Sequence, residues 1–305
     1  MAGTLAIIGF GFIGERLART AAERGWSVAA LDTRELDVAD IRFVRGLADD
    51  ADALDDVLAG ADLVVYAAGT TKPAESDADP LGHTTANLAP VLATLTAARR
   101  NGVGHVTFLS SGGTVYGPTA PVPTREDTPL WPINSYGIIK AAAEQYVAMH
   151  ARQGGFSADI LRCANVYGPG EPQHGSQGLI GVARAHLTAR EPITVFGDGS
   201  ARRDFLHVDD LCDVLLRLHE RAHGVRVLNV GSGRSTSVME VITALSASLG
   251  VEPHFDRRPA RASDVPTAEL DISRLREIVD FSPRDTATWL ARPLPMAPRS
   301  GAAHT

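Results

Sequence analysis

Three glycines, Gly9, Gly11 and Gly14, stand between an apolar run, Leu5–Ile8, and an Ala- and Arg-rich stretch, Ile13–Arg24. Gly-x-Gly-x-x-Gly across a strand-to-helix junction leaves few folds open. The glycines let the chain turn tightly and let a pyrophosphate approach a helix N-terminus, whose unpaired N–H groups favour an anion. Phe10, Phe12 and Ile13 complete the loop.

Short β-branched runs alternate with helical stretches over the first two thirds of the chain. Strands are expected at Leu5–Ile8, Ser27–Asp32, Arg42–Arg45, Asp62–Ala68, His105–Ser111 and Ala158–Ala164, with helices at Ile13–Arg24, Asp50–Leu58, Thr85–Asn101 and Ser135–Gln153. Such alternation is the sequence form of an α/β, Rossmann-type doubly wound parallel sheet, whose right-handed crossovers leave ligand sites at the carboxyl ends of the strands.

The second strand ends in Asp32, eighteen residues past Gly14. A carboxylate there can bind a ribose 2′-hydroxyl and repels the 2′-phosphate of NADP, so the expected cofactor is NAD. Arg34, two residues on, is the one feature pointing the other way. The fourth strand runs into Ala67, Ala68 and Gly69, small residues against which a cofactor's ribose and nicotinamide would lie, and then into Lys72, which is either a substrate contact or a solvated loop charge. Asn87 is read as opening the next helix. The fifth strand delivers Ser110, Ser111 and Thr114 to the same edge, where hydroxyls can bond a substrate oxygen or close their own turn.

Tyr136 and Lys140 are four apart on an expected helix and so share one face. An ammonium beside a phenol favours the phenolate, which would lower a pKa normally near 10 towards that of a general base. The chain has only two lysines, Lys72 and Lys140, among its 29 Lys+Arg residues. A chain that uses arginine almost everywhere keeps a compact ammonium here, where it can approach both a ribose and a phenol.

Composition excludes other classes. A net charge of −7 with no Lys/Arg run gives no surface for nucleic acid or anionic lipid, and no apolar stretch approaches a membrane span of roughly 18 residues. Leu5–Ile8 is too short for a signal-peptide core. Cys163 and Cys212, without a Cys-x-x-Cys pattern, fit reduced buried thiols of a cytoplasmic protein. His219 and His223 have helical metal-ligand spacing but no third ligand, and no metal is expected.

From about Leu5 to Pro283 the chain resembles the extended short-chain dehydrogenase/reductases, and within them the NAD-dependent nucleotide-sugar epimerase/dehydratase branch, nearest to UDP-hexose 4-epimerases. The resemblance is carried by the Gly9–Gly14 loop, Asp32, Ser110–Gly117, Tyr136-x-x-x-Lys140, Leu161–Pro169, Arg203–Asp210 and Arg261–Asp264. It implies that Tyr136 is the catalytic base and that Lys140 holds the nicotinamide ribose. It assigns Asn165, Arg203 and Arg261 to the nucleotide diphosphate. Ala268, a small residue bounding the hexose pocket, would leave room for a 2-acetamido group. Residues 1–170 would form the NAD-binding domain and 171–290 mostly a smaller C-terminal substrate-binding lobe, with a strand near 225–230 returning to the main sheet and a flexible tail at 291–305. A homodimer is expected from the same resemblance.

Three departures bear on chemistry. The glycine loop starts Ile7-Ile8-Gly9 where the family often has Thr-Gly-Gly. The family's catalytic Ser or Thr would fall on Gly112, so Ser111 or Thr114 must supply that hydroxyl. Gly112-Gly113-Thr114 also lacks the carboxylate that sugar dehydratases use, which favours C4 epimerisation of a UDP-hexose, UDP-N-acetylhexosamine or UDP-uronate. The alternatives are an NADPH-dependent 4-keto-sugar reductase, supported by Arg34, and a catalytically silent NAD-binding redox sensor, supported by Gly112.

Overall fold

Seven parallel strands, in the order β10-β6-β5-β4-β1-β2-β3, form the central sheet of the computed structural model, which describes residues 3–69, 76–173, 178–219, 224–260 and 265–292. They are β1 (Thr4–Ile8), β2 (Ser27–Asp32), β3 (Ile41–Arg45), β4 (Leu63–Tyr66), β5 (His105–Ser111), β6 (Ser157–Cys163) and β10 (Val225–Val230). The chain winds outward from β1 through β2 to β3, then from β4 through β5 and β6 to β10. The order therefore reverses between β1 and β4, and a doubly wound sheet opens a crevice at that point.

Strands buried on both faces read as continuous apolar runs. Leu5 and Ile7 of β1 face one core cluster with Leu17 and Ala21 of α1 (Phe12–Glu23) and Leu211, Val214 and Leu215 of α6 (Val208–His219). Ala6 and Ile8 face the other, with residues of α2 (Ala51–Leu58), α3 (Pro80–Arg100) and α4 (Ser135–Arg152).

Helix α3 starts five residues earlier than expected. Asp79 caps it by accepting a hydrogen bond from Gly82 N, and Pro80, whose fixed φ suits the first helical turn, follows at once. Asn87 thus lies inside the helix and donates to His83 O rather than opening it.

The remaining elements form smaller sheets: β7 (Asn165–Tyr167), β9 (Arg202–His207), β11 (Ser235–Ser237) and β13 (Thr267–Ala268) in one, and β8 (Ile193–Phe196) with β12 (Phe255–Arg258) in another. With α5 (Leu179–Ala189), α7 (Val238–Leu249) and α9 (Thr286–Leu290), they enclose a third core around Tyr167, Phe205 and Ile242, whereas α8 (Ser273–Ile278) packs its Leu275 into the first core. Residues 293–305 lie outside the described part. Cys163 and Cys212 are free and buried. Among the described residues no helix is long and apolar enough to cross a membrane, and no cluster of metal-ligating side chains forms. His219 stacks edge-on against Trp26 and His105, whereas His223 is outside the described residues.

At the amino ends of β5, β6 and β10 a buried carboxylate pins the sheet. Asp159, fully buried, accepts 2.6 and 2.7 Å hydrogen bonds from Arg226 and lies 3.0 Å from His105 Nε2. Burial alone would raise its pKa, but His105 and Arg226 hold it below the usual carboxylate value. Its contribution is therefore present above the unfolded carboxylate pKa and is lost as pH falls through the lower folded one. Asp159→Ala removes the carboxylate that neutralises the buried Arg226 and is expected to cost about 3–5 kcal/mol in urea unfolding at neutral pH.

Candidate active site

The glycine loop lies at the reversal point. Gly9 has φ +97°, and a Cβ there would sit 2.6 Å from the Ala68 backbone, so the ends of β1 and β4 touch only because this residue is glycine. A Cβ on Gly14 would lie 2.0 Å from Gly9 O, which fixes the seat of α1 against the loop. Around Gly11 the space is open, and no side chain caps the helix that begins there. Phe12 and Ile13 form the first turn of α1. Ala67 and Ala68 follow β4 directly, its strand having ended at Tyr66, and Gly69 comes next.

Asp32 ends β2 and accepts a 2.9 Å bond from Phe10 N. Arg34 folds back on the same carboxylate, 2.9 Å from Nε to Oδ1, and reaches Phe10 O at 2.5 Å. Burial pushes the Asp32 pKa up, but the Arg34 bonds outweigh it and leave the carboxyl below its ordinary value.

Helix α4 is placed by three caps on its first turn. Ser135 N donates to Asp77 Oδ1 at 2.7 Å, Tyr136 N to Ser76 Oγ at 3.2 Å and Gly137 N to Asn134 Oδ1 at 2.8 Å. The Tyr136 side chain lies near Ser111 at the end of β5, close enough for the serine hydroxyl to favour the phenolate. Lys140 Nζ donates to Leu109 O at 2.8 Å, and lies 4.8 Å from the Phe108 ring centroid and 5.8 Å from that of Tyr136.

These surroundings reverse one expectation. Burial, with a smaller contribution from the nearby Cys163 thiol, pushes the Tyr136 phenol up to about 12, against the lowering effect of Ser111. Burial likewise brings Lys140 down to about 8, although Cys163 and Glu144 oppose it. Loss of water is the largest cause for both groups, and Lys140 is not among the causes acting on the phenol.

Next along the chain from Ser111, a narrow cleft enclosing only about 10 Å³ is lined by Gly112, Gly113, Ala164, Asn165, Arg203, Asp204, Ala268 and Leu270. Asn165 opens β7, while Arg203 and Ala268 are register partners on β9 and β13. Arg203 Nη1 bonds Val265 O at 2.6 Å and so ties β9 to the segment before β13. Asp204 accepts from the N–H groups of Ser232 and Gly233, and from Leu270 N at 3.3 Å, which holds Leu270 at the cleft floor. The two candidates Lys72 and Arg261 lie outside the described residues.

Gly112 has a steric reason. A Cβ there would lie 2.7 Å from Leu270 Cδ1 and 3.0 Å from Arg162 O. Of the two hydroxyls expected to replace the missing one, Ser111 meets Tyr136, whereas Thr114 Oγ1 is buried without a hydrogen-bond partner. Sequence reading missed the roles of Leu270 and of the buried Glu144–Arg162 pair behind the site, and took Cys163 only for a buried thiol, because these contacts join residues far apart in sequence.

A family model described as "NAD dependent epimerase/dehydratase family" matches residues 5–231. The chain belongs to this family. It is 32% identical to the UDP-glucose 4-epimerase of Mycolicibacterium smegmatis, over 92% of this chain and 93% of that protein. Its fold is similar to the UDP-glucose 4-epimerase of Thermotoga maritima solved with UDP-glucose, with TM-score 0.89 and 28% identity over 94% and 96% of the two chains. It is also similar to MoeE5 in complex with UDP-glucuronic acid and NAD, with TM-score 0.88 and 30% identity over 95% and 97%.

The loop fits the family's cofactor: the backbone is closely approachable at Gly9 and Gly11, the first turn of α1 has no side-chain cap, and a carboxylate ends β2. Gly112→Ser should not improve the site. The added side chain overpacks against Leu270 and is expected to cost about 1–3 kcal/mol of stability in thermal or urea unfolding, relieved by adding Leu270→Ala.

Proposed function

We propose that the chain interconverts the C4 epimers of a nucleotide sugar, a UDP-hexose, UDP-N-acetylhexosamine or UDP-uronate, through a 4-keto intermediate. The observation that carries this reading is the grouping of Tyr136, Ser111 and Lys140 beside a cleft that has no carboxylate at residues 112–114. The names of the relatives support it, as does the small Ala268 at the cleft wall.

NAD, when bound, supplies reversible hydride acceptance at the sugar carbon. Tyr136 takes the 4-hydroxyl proton and later returns it, with Ser111 sharing a hydrogen bond to keep the phenol aimed at that oxygen. A phenol as high as about 12 is a poor base until positive charge is beside it, and Lys140 is placed to hold a ribose and contribute such charge. Asn165 and Arg203 grip the diphosphate, a guanidinium being suited to paired phosphate oxygens. Arg261 and Lys72 are assigned supporting contacts to the same substrate. A firm nucleotide and a loosely held hexose let the keto sugar turn and present its other face.

Exposed apolar residues on the outer faces of α3 and α4, Leu81 at 79%, Ile138 at 54%, Tyr146 and Met149, support pairing of two copies through these helices. Arg34 on Asp32 favours a second reading, a 4-keto-sugar reductase, because it offsets the charge that would repel a 2′-phosphate.

Purified protein incubated without added cofactor with UDP-glucose, UDP-galactose and their N-acetyl and uronic counterparts, followed by proton NMR, should yield a C4 epimer of at least one sugar. Tyr136→Phe should abolish this while keeping its NAD. Silence across the panel, with turnover of a 4-keto nucleotide sugar by NADPH, would replace epimerisation by the reductase.

A further inference from the structure

Tyr136, Lys140 and Glu144 recur at every fourth residue of α4, and each holds a consecutive residue at the end of β5. Tyr136 meets the Ser111 hydroxyl, Lys140 binds Leu109 O at 2.8 Å, and Glu144 Oε1 accepts from Ser110 Oγ at 2.5 Å. Glu144 is 1% exposed and pairs with Arg162 of β6, 5% exposed, through bonds of 2.8 to 3.2 Å.

The chain of bonds continues away from the helix. Arg162 Nη1 donates to the Tyr116 hydroxyl at 3.0 Å and to Glu126 O at 3.0 Å. Tyr116 donates to Asn229 Oδ1 at 2.6 Å, and Asn229 Nδ2 donates to Thr124 O and Asp271 O. Thr124 bridges to Leu270, which fills the space beside Gly112 at the cleft. Helix α4 and the chain just after β13 are thereby joined through the interior by one polar network.

We infer that Glu144, through its pair with Arg162, is a positioning residue for the epimerisation proposed above: it locks α4 to the β5 terminus in the one register that brings Tyr136 to Ser111, and couples that register to the floor of the sugar cleft. Hydrophobic packing alone could not do this, because apolar contacts are non-directional whereas bidentate charge-assisted bonds fix both distance and angle. Among the described residues, the groups facing the Lys140 ammonium are Tyr136 and Glu144 on its own helix, Cys163 on β6 and the Phe108 ring. The Glu144 carboxylate therefore also favours the charged form of Lys140.

The test compares the NAD-loaded enzyme with Ser110→Ala and with the double variant Glu144→Gln/Arg162→Met, which avoids leaving Arg162 as an unpaired buried charge. The double variant is expected to melt close to the wild type while kcat falls about 10- to 100-fold and KM stays within about threefold, as for a misplaced reacting group. Ser110→Ala should lower kcat in the same sense. A double variant of wild-type stability whose kcat also returns to the wild-type value would overturn the inference, because the pair would then be merely structural.

A second readout needs no turnover. The chain has two lysines, so acylation by acetic anhydride at a series of pH values, read by mass spectrometry, follows Lys140 with Lys72 as internal reference. Lys140 should become reactive at lower pH in Glu144→Gln, or in the double variant where the single one does not fold; an unchanged profile overturns the inference. Wild-type enzyme that epimerises no sugar nucleotide refutes the functional reading instead, and the lysine profile still decides the role of Glu144.

Discussion

The grip of α4 on the end of β5 is the contact on which the rest of the site depends. A strand end is where a parallel sheet exposes its last carbonyl and side-chain groups, and here three successive residues, Leu109, Ser110 and Ser111, are met by Lys140, Glu144 and Tyr136, side chains spaced one turn apart on the helix. The helix in turn begins at a fixed residue because Ser76, Asp77 and Asn134 cap its first turn. Caps fix where α4 starts, and buried polar bonds fix its rotation and height on the sheet. The glycine loop at the reversal of strand order and the cleft beside Gly112 then face the same edge.

Burial is what makes this grip hold and what sets its chemistry. Taking Tyr136 and Lys140 out of water favours their neutral forms, so the phenol rises to about 12 and the amine falls to about 8. At neutral pH the phenol is then protonated, while the amine, at about 8, still carries its charge for the most part. Positive charge delivered by a bound cofactor would act on a half-buried phenol, where screening is weaker than at a fully exposed surface.

Much of the frame was legible in the sequence because its signals are local. Strands such as Ser27–Asp32 and His105–Ser111 agree residue for residue with expectation, since runs buried on both faces have sharp polar ends. The Gly9–Gly14 loop and the Tyr136/Lys140 spacing likewise depend only on neighbours in sequence. What was not legible depends on residues far apart. Helix α3 starts at Pro80 rather than near Thr85 because Asp79 caps it, a signal carried by the Asp-Pro pair. Gly112 read as a lost hydroxyl, and only the proximity of Leu270, 158 positions later, shows that a side chain there would clash. Short strands such as β7 and β13 take their conformation from β9 and show no periodicity of their own. The rise in the Tyr136 pKa required the burial of the pair, which spacing alone does not contain.

The most direct measurement is the ionisation of Tyr136 itself, taken as the tyrosinate ultraviolet absorbance of wild type minus Tyr136→Phe across alkaline pH. In protein stripped of cofactor the difference should stay flat through the ordinary tyrosine range near 10, and with NAD bound it should rise about one pH unit or more earlier. Titration of Tyr136 at or below 10 in the stripped protein would contradict the account, because burial would then not be what governs the phenol.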